Sequence, residues 1–144
     1  MGRANQSGII VIAEDCDEDF ETALEALKNA GMPHGVERAQ TGDQCLQQLL
    51  GAHAVQPNLV LMDLNLPGMD GREALREIKT NLLLKPIPVL VLTTSANPRD
   101  LAVCYASGAN AYHVKPVHYP EYLDLLETIF RYWLKYTMPW KTAS

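Results

Sequence analysis

Five alternations of a short apolar run with an amphipathic stretch predict an α/β fold, with helices packed on both faces of a parallel sheet and right-handed crossovers between its strands. Two runs carry the prediction. Leu59–Met62 and Val89–Leu92 are apolar throughout, the pattern of strands buried on both faces. The third observation is the punctuation. Polar residues close the runs at Glu14-Asp15, Asp63 and Thr93-Thr94-Ser95, and turn or cap signals follow at Pro67-Gly68, Asp70-Gly71 and Asn97-Pro98.

In chain order, Gly8 to Ala13 reads as the first strand. A helix follows from Asp17, with Phe20, Leu24 and Leu27 on one face and Gly31 as its stop. His34 to Ala39 is a weaker strand. Thr41 caps a second helix that buries Cys45, Leu46, Leu49 and Leu50 and ends near Gly51. The central strand delivers Asp63, and the third helix runs from about Gly71 to Thr80 on Ala74, Leu75 and Ile78. Lys85-Pro86-Ile87-Pro88 is a boundary no helix crosses, so Val89 starts a new strand. Pro98 to about Ser107 is the fourth helix, stopped by Gly108. Ala111 to Val114 is the last strand, closed by Lys115-Pro116, and a long helix runs from Tyr119 to Tyr136.

The 144 residues predict one domain over residues 8–136, with short extensions at 1–7 and 137–144 and no room for an output domain. Twelve basic against 17 acidic residues give a net charge of −5, which argues against nucleic acid and anionic membrane as partners. The apolar run Ile9 to Ala13 is too short for a signal sequence or membrane span, and Gln6 stands where a myristoylation signal needs Ser or Thr. Three scattered cysteines, Cys16, Cys45 and Cys104, form neither a disulfide framework nor a paired zinc motif, and a reducing cytoplasm fits. Cys45 and Cys104 read as small core residues, while Cys16 is the one thiol beside the acidic cluster. His34, His53, His113 and His118 lack metal-ligand spacing.

Open parallel sheets keep their ligands at the carboxyl ends of the strands. Four stretches therefore supply one site: Glu14-Asp15, Asp63, Thr93 and Lys115. An ionised carboxylate beside a buried strand needs a cation or hydrogen-bond donors, so Asp63 asks for a metal, a lysine or both. Each residue taken singly has an ordinary reading, as helix cap, strand-end hydroxyl or solvated lysine. Their order and spacing are what is specific, with Thr93 30 residues after Asp63 (93 − 63) and Lys115 22 after Thr93 (115 − 93).

On these residues the chain resembles a response-regulator receiver domain from Ile9 to about Leu134. The resemblance implies a flavodoxin-like, doubly wound (βα)5 fold with strand order 2-1-3-4-5. It implies Asp63 as phosphoacceptor, taking the phosphoryl group of a phosphohistidine on a histidine kinase. Asp15, Asp63 and the Asn65 backbone carbonyl would bind Mg²⁺ directly, or Mn²⁺ in its place, and Glu14 would bind it through water; such an oxygen donor set suits a hard cation. Thr93 would bond the phosphoryl oxygen and Lys115 would pair with it, both holding charge as it develops. Tyr112 would move with phosphorylation state, Pro116 would follow a cis bond, and Asn65 and Ser95 would tune the phosphate lifetime. The resemblance makes the chain a signalling protein, not an enzyme, that assists its own phosphorylation and dephosphorylation.

The segments Val91-Leu92-Thr93-Thr94-Ser95-Ala96-Asn97, Gly108-Ala109-Asn110-Ala111-Tyr112 and Lys115-Pro116-Val117 are similar to the stand-alone cyanobacterial regulators that serve phytochrome histidine kinases. A phytochrome kinase and a separate downstream protein are the implied partners. Two residues depart from the general receiver pattern: Glu14 stands where Asp is commoner, and Thr94 where Ala or Gly is usual. Two other functions share parts of the pattern. An aspartate-nucleophile phosphatase wants a second carboxylate at Asn65, and a pseudo-receiver would have lost residues that are all present here.

The last helix carries a second signal. At about 100° per residue its polar residues occupy an arc of about 120°, leaving an apolar arc wider than one sheet face requires. Leu123, Phe130 and Leu134 line one edge of that arc, and Leu125, Tyr132 and Tyr136 the other. Nine of the ten aromatic residues lie at or after Tyr105, and aromatics favour association surfaces. A homodimer through the last strand and helix is the expectation; the competing one is that the tail from Thr137 folds back over the apolar edge.

Overall fold

The computed structural model describes residues 8–141, so the extension at 1–7 and the last three positions of the tail lie outside the described residues. The elements are β1 (Ile9–Ala13), α1 (Asp17–Asn29), β2 (Gly35–Ala39), α2 (Gly42–Leu50), β3 (Leu59–Met62), α3 (Gly71–Thr80), β4 (Val89–Thr93), α4 (Pro98–Ala106), β5 (Ala111–Val114) and α5 (Tyr119–Arg131). The five strands form one sheet in the order β2-β1-β3-β4-β5, every pair parallel, as expected from the resemblance.

Strand alternation divides the core in two. Val11, Val60, Met62, Val89 and Val91 face α2 and α3, where Cys45, Leu49, Ala74, Leu75 and Ile78 meet them. Ile10, Ile12, Leu59, Leu61, Leu90 and Leu92 face α1 and α5, packing on Ala23, Ala26, Tyr122, Leu126 and Phe130. Both faces of β1, β3 and β4 are therefore dry, which is why their sequences read as unbroken apolar runs. Edge strands β2 and β5 are less buried.

The helix starts follow their caps. Thr41 Oγ1 accepts from the Gln44 N–H at 3.0 Å, Asp70 from Arg72 and Glu73, and Asn97 from Arg99 at 2.8 Å with Pro98 just inside. Cys16 offers α1 no side-chain cap, and the acidic first turn Asp17, Glu18, Asp19 meets the helix dipole instead. Two glycines are obligatory near Asp63. Gly68 turns the chain at φ 67°, and a Cβ on Gly71 would collide with the Asp63 carbonyl, so α3 starts in backbone contact with the end of β3.

Four expectations are corrected. Leu24 and Leu50 are exposed, because α1 buries Thr22, Ala23, Ala26 and Leu27 and α2 buries Cys45 and Leu49; each leucine lies at the margin of its helix's apolar stripe. The last helix is α-helical only to Arg131, and Tyr132–Tyr136 form a π-helical turn. Phe130 is fully buried beneath α5 and cannot line an interface. Its edge lies beside α1: Asn29 donates to Glu127 at 2.8 Å and Tyr119 to Glu25, so that side already has a partner, and Leu123 and Leu134 pack half-buried against the same core. Among the described residues the opposite edge is the more open one: Tyr132 and Tyr136 are 55% and 68% exposed, while Leu125 also packs half-buried against the core. After the π turn the chain folds back beneath the amino ends of the strands, where Trp140 Nε1 donates to the Pro57 carbonyl at 2.8 Å.

Candidate functional site

Ladder hydrogen bonds continue one residue beyond β1, β3 and β5 and fix the backbone of Glu14, Asp63 and Lys115. Glu14 N–H donates to the Ala39 carbonyl at 2.9 Å, Asp63 to Ala13 at 3.0 Å and Lys115 to Thr93 at 2.7 Å. Side chains at these positions are therefore aimed from rigid sheet, not from mobile loop.

Glu14 and Asp63 are held in the same way. One oxygen accepts the backbone N–H two residues on: Glu14 Oε2 from Cys16 at 3.1 Å, Asp63 Oδ1 from Asn65 at 3.1 Å. The other accepts from the Lys115 ammonium, at 2.7 Å for Glu14 Oε1 and 3.2 Å for Asp63 Oδ2. Asp19, from the first turn of α1, supplies a third acceptor at 2.8 Å. Glu14, Asp63 and Lys115 are all buried, and Asp15 is exposed beside them. A small cavity of about 10 Å³ lies among Glu14, Asp19, Asp63 and Tyr122.

Burial pushes the Glu14 carboxyl up to about 7, against the lowering effect of Lys115, with the Asp63 charge adding to the rise. Burial alone would lower the Lys115 ammonium, but its bonds to Asp19 and Glu14 outweigh that and raise it, so the lysine stays charged. One ammonium among three contacting carboxylates leaves the pocket short of positive charge.

Ligand oxygens of Glu14, Asp15 and Asp63 lie within 4.8 Å of one another. An all-oxygen set, two buried and one exposed, matches a hard divalent cation and offers nothing to a thiolate- or imidazole-seeking ion. The residues present fit such an ion.

Thr93 is fully buried at the end of β4, and its Oγ1 accepts from the Ser95 N–H at 3.3 Å. From Ser95 the contacts lead away from the carboxylates. Ser95 Oγ donates to Asp100 Oδ2 at 2.7 Å, and Arg72 grips the same carboxylate from α3 with Nε at 2.8 Å and Nη2 at 3.0 Å. Hydrogen bonds from Arg72 and Ser95 hold Asp100 down at about 2. Tyr112 Oη donates to the Ser95 carbonyl at 2.9 Å, joining β5 to the loop that begins at Thr93.

Glu14, Asp15, Asp63 and Lys115 thus meet in one pocket, with Thr93 at the neighbouring strand end; Tyr112 and Ser95 meet each other on the α4 side. Asn65 and Thr94 are exposed. The Lys115–Pro116 bond is trans, and among the described residues no peptide bond is cis. A tertiary amide prefers trans by about 0.5–1 kcal/mol, and Lys115 reaches its carboxylates with the bond in that form. Sequence reasoning missed Asp19 and the Arg72–Asp100 pair. Asp19 had one available signal: a helix starting directly after the acidic end of β1 must place its first turn over the carboxyl edge of the sheet.

Residues 10–127 match the family described as the response regulator receiver domain, and the chain belongs to that family. Within it, the chain is related to cyanobacterial phytochrome response regulators. It is 36% identical over 136 residues to the response regulator Rcp1 of Synechocystis sp. (strain ATCC 27184 / PCC 6803 / Kazusa), covering 92% of each chain. It is 35% identical to the probable methanogenesis regulatory protein FilR2 of Methanothrix harundinacea (strain 6Ac), over 88% of this chain and 83% of that protein. The Mn²⁺-bound form of Rcp1 superposes with a TM-score of 0.88 at 34% identity, over 92% of this chain and 98% of that one. The phosphorylated cyanobacterial phytochrome response regulator RcpA gives 0.87 at 36%, over 92% and 97%. Among the described residues no helix is long and apolar enough to cross a membrane.

Proposed function

We propose that this chain accepts a phosphoryl group on Asp63 from a phosphohistidine of a phytochrome-class histidine kinase, in a Mg²⁺-dependent reaction that Mn²⁺ also supports. The observation that carries the reading is the Asp63 carboxylate, buried at a strand end with Oδ1 on the Asn65 amide and Oδ2 on Lys115. Relatedness to Rcp1 and RcpA supports the kinase class.

One Asp63 oxygen attacks phosphorus, the oxygen–phosphorus bond forms as the phosphorus–nitrogen bond to histidine breaks, and the electron pair leaves on the imidazole nitrogen. A divalent ion held by Asp15, Asp63, the Asn65 carbonyl and, through water, Glu14 would neutralise charge on the transferring group. Lys115 pairs with a phosphoryl oxygen, relieving the repulsion between two anions. Thr93 turns its hydroxyl to another, giving up the Ser95 amide. Because Ser95 also holds Tyr112, that exchange reaches the ring and the surface of α4, β5 and α5. Asn65 and Ser95, two residues beyond Asp63 and Thr93, set how readily water reaches the acyl phosphate.

On the same surface the open edge formed by Leu125 of α5 with Tyr132 and Tyr136 of the π turn is the dimer contact, and Leu101, Val103 and Tyr105 of α4 are exposed for a downstream protein. Asn65 supplies no carboxylic acid for turnover, which favours a phosphoacceptor over an aspartate-nucleophile phosphatase.

Incubation with a phosphorylated phytochrome-type kinase tests the reading. Label that needs both Mg²⁺ and Asp63, and is absent with chelator or in Asp63→Asn, supports it. Label obtained only from a small phosphodonor would leave the chemistry standing and discard the kinase class. No label from either would favour the pseudo-receiver.

A further inference from the structure

The Lys115 ammonium has three N–H donors, and all three are taken, by Glu14 Oε1 at 2.7 Å, Asp19 Oδ2 at 2.8 Å and Asp63 Oδ2 at 3.2 Å. The chemistry above uses Glu14 and Asp63. It has no use for Asp19. That carboxylate comes from a different element, the first turn of α1, and its side chain is 30% exposed where those of Lys115 and Glu14 are 6% and 5%. It is not among the three carboxylates whose oxygens converge within 4.8 Å, so its place is beside the lysine and not around a cation.

We infer that Asp19 is a positioning residue that holds Lys115 in its resting place and slows phosphoryl acceptance by Asp63. The inference rests on the phosphoacceptor reading. A phosphoryl group arriving at Asp63 needs an N–H from Lys115, and the ammonium must release one acceptor to supply it. Glu14 is too buried to be rehydrated, and releasing Asp63 Oδ2, the longest contact at 3.2 Å, would draw the ammonium away from the carboxylate that receives the phosphoryl group. Asp19 stands at the rim, where water replaces the lost bond, so its contact is the one that breaks. Breaking it delays the reaction, and the Asp19 charge adds to the repulsion an anionic donor meets. After transfer the same carboxylate competes with the phosphoryl oxygen for Lys115 and shortens the lifetime of the acyl phosphate. Helix-dipole complementation does not need Asp19, since Asp17 and Glu18 stand in the same turn.

Phosphorylation of wild type, Asp19→Asn, Asp19→Glu and Asp63→Asn by acetyl phosphate with Mg²⁺ tests the inference, together with Mn²⁺ binding isotherms, thermal midpoints and the Lys115 ammonium resonance in NMR. Asp19→Asn should take label about three- to fivefold faster and hold it longer by a similar factor, the size of a rim ion pair's coupling. Its Mn²⁺ affinity should stay within about threefold of wild type, since only through-space charge is lost. The protected ammonium signal of Lys115 should broaden or vanish, and Asp19→Glu should return both rates toward wild type. Unchanged or slower labelling in Asp19→Asn, beside a wild type that labels normally, overturns the inference alone; a lowered thermal midpoint with unaltered rates does the same by assigning Asp19 to the helix. A wild type that takes no label overturns the phosphoacceptor reading and the inference with it.

Discussion

At the scale of single residues, Lys115 is the cation on which two buried carboxylates depend. Removing it leaves Glu14 and Asp63 with one backbone amide each. Lys115→Met should destabilise the metal-free chain by about 3–5 kcal/mol at pH 8, the range for breaking a buried ion pair from one side, measured by urea unfolding with chelator present. Glu14 gives a pH signature. Its carboxyl rises from 4.5 to about 7 on folding, so between those values the folded chain holds more protons than the unfolded one. That contribution to stability is complete below 4.5 and is lost as pH rises through 7. His34 and His113, both pushed down by burial, act in the opposite sense. The Glu14 share is therefore read by difference: without metal, wild type should lose stability relative to Glu14→Gln between pH 5.5 and pH 8. A divalent cation should cancel that loss, because it favours the ionised carboxylate.

At the scale of elements, α5 shows how one helix serves two surfaces. Its inner face rests on β1, β3 and β4 through Leu126, Ile129 and Phe130, and one flank is tied to α1 by Asn29 and Glu127. In urea unfolding at a concentration low enough to keep the chain monomeric, Phe130→Ala should cost about 3–5 kcal/mol, whereas Tyr132→Ala should stay within about 0.5 kcal/mol, as exposed substitutions do. Similar costs for the two would contradict the assignment of faces. A second link joins α3 to α4, where Arg72 grips Asp100 and Asp100 holds Ser95. This half-exposed pair contributes about 1 kcal/mol or less to stability. Its larger effect is on position, because Ser95 contacts both Thr93 and Tyr112. Asp100→Asn should therefore alter the near-ultraviolet circular dichroism of Tyr112 while shifting the unfolding midpoint little; a spectrum identical to wild type would disconnect the pair from the ring.

At the scale of the whole molecule, the sheet edge carrying Asp63 and the edge beneath which Trp140 turns back are at opposite ends of the strands. The described part of the tail covers the amino ends, where Trp140 meets Pro57, and leaves the Tyr132 and Tyr136 edge open. The tail expectation is met only in part: the chain folds back, yet its described residues do not cover the edge that remains apolar and exposed. Sedimentation at tens of micromolar concentration should report a dimer that Tyr132→Glu with Tyr136→Glu dissociates. A monomeric wild type would remove the dimer.

The sequence by itself determined the alternation of strand and helix, the three dry central strands and the carboxylates, threonine and lysine at their ends. Those features are local, written in runs of apolar residues, in caps such as Thr41 and Asp70, and in the obligatory Gly71. The remaining features come from contacts between distant elements. Asp19 reads in sequence as one more acidic residue at a helix start, and becomes a partner of Lys115 because the sheet brings β5 and α1 over the same edge. Phe130 and Tyr132 read as matching edges of one apolar arc, and differ because Phe130 packs into the core beneath the sheet while Tyr132, in the π turn, stays exposed. The grip of Arg72 on Asp100 has the same origin. Each depends on which distant elements become neighbours, and residue periodicity along one element carries no information about the chain packed against it.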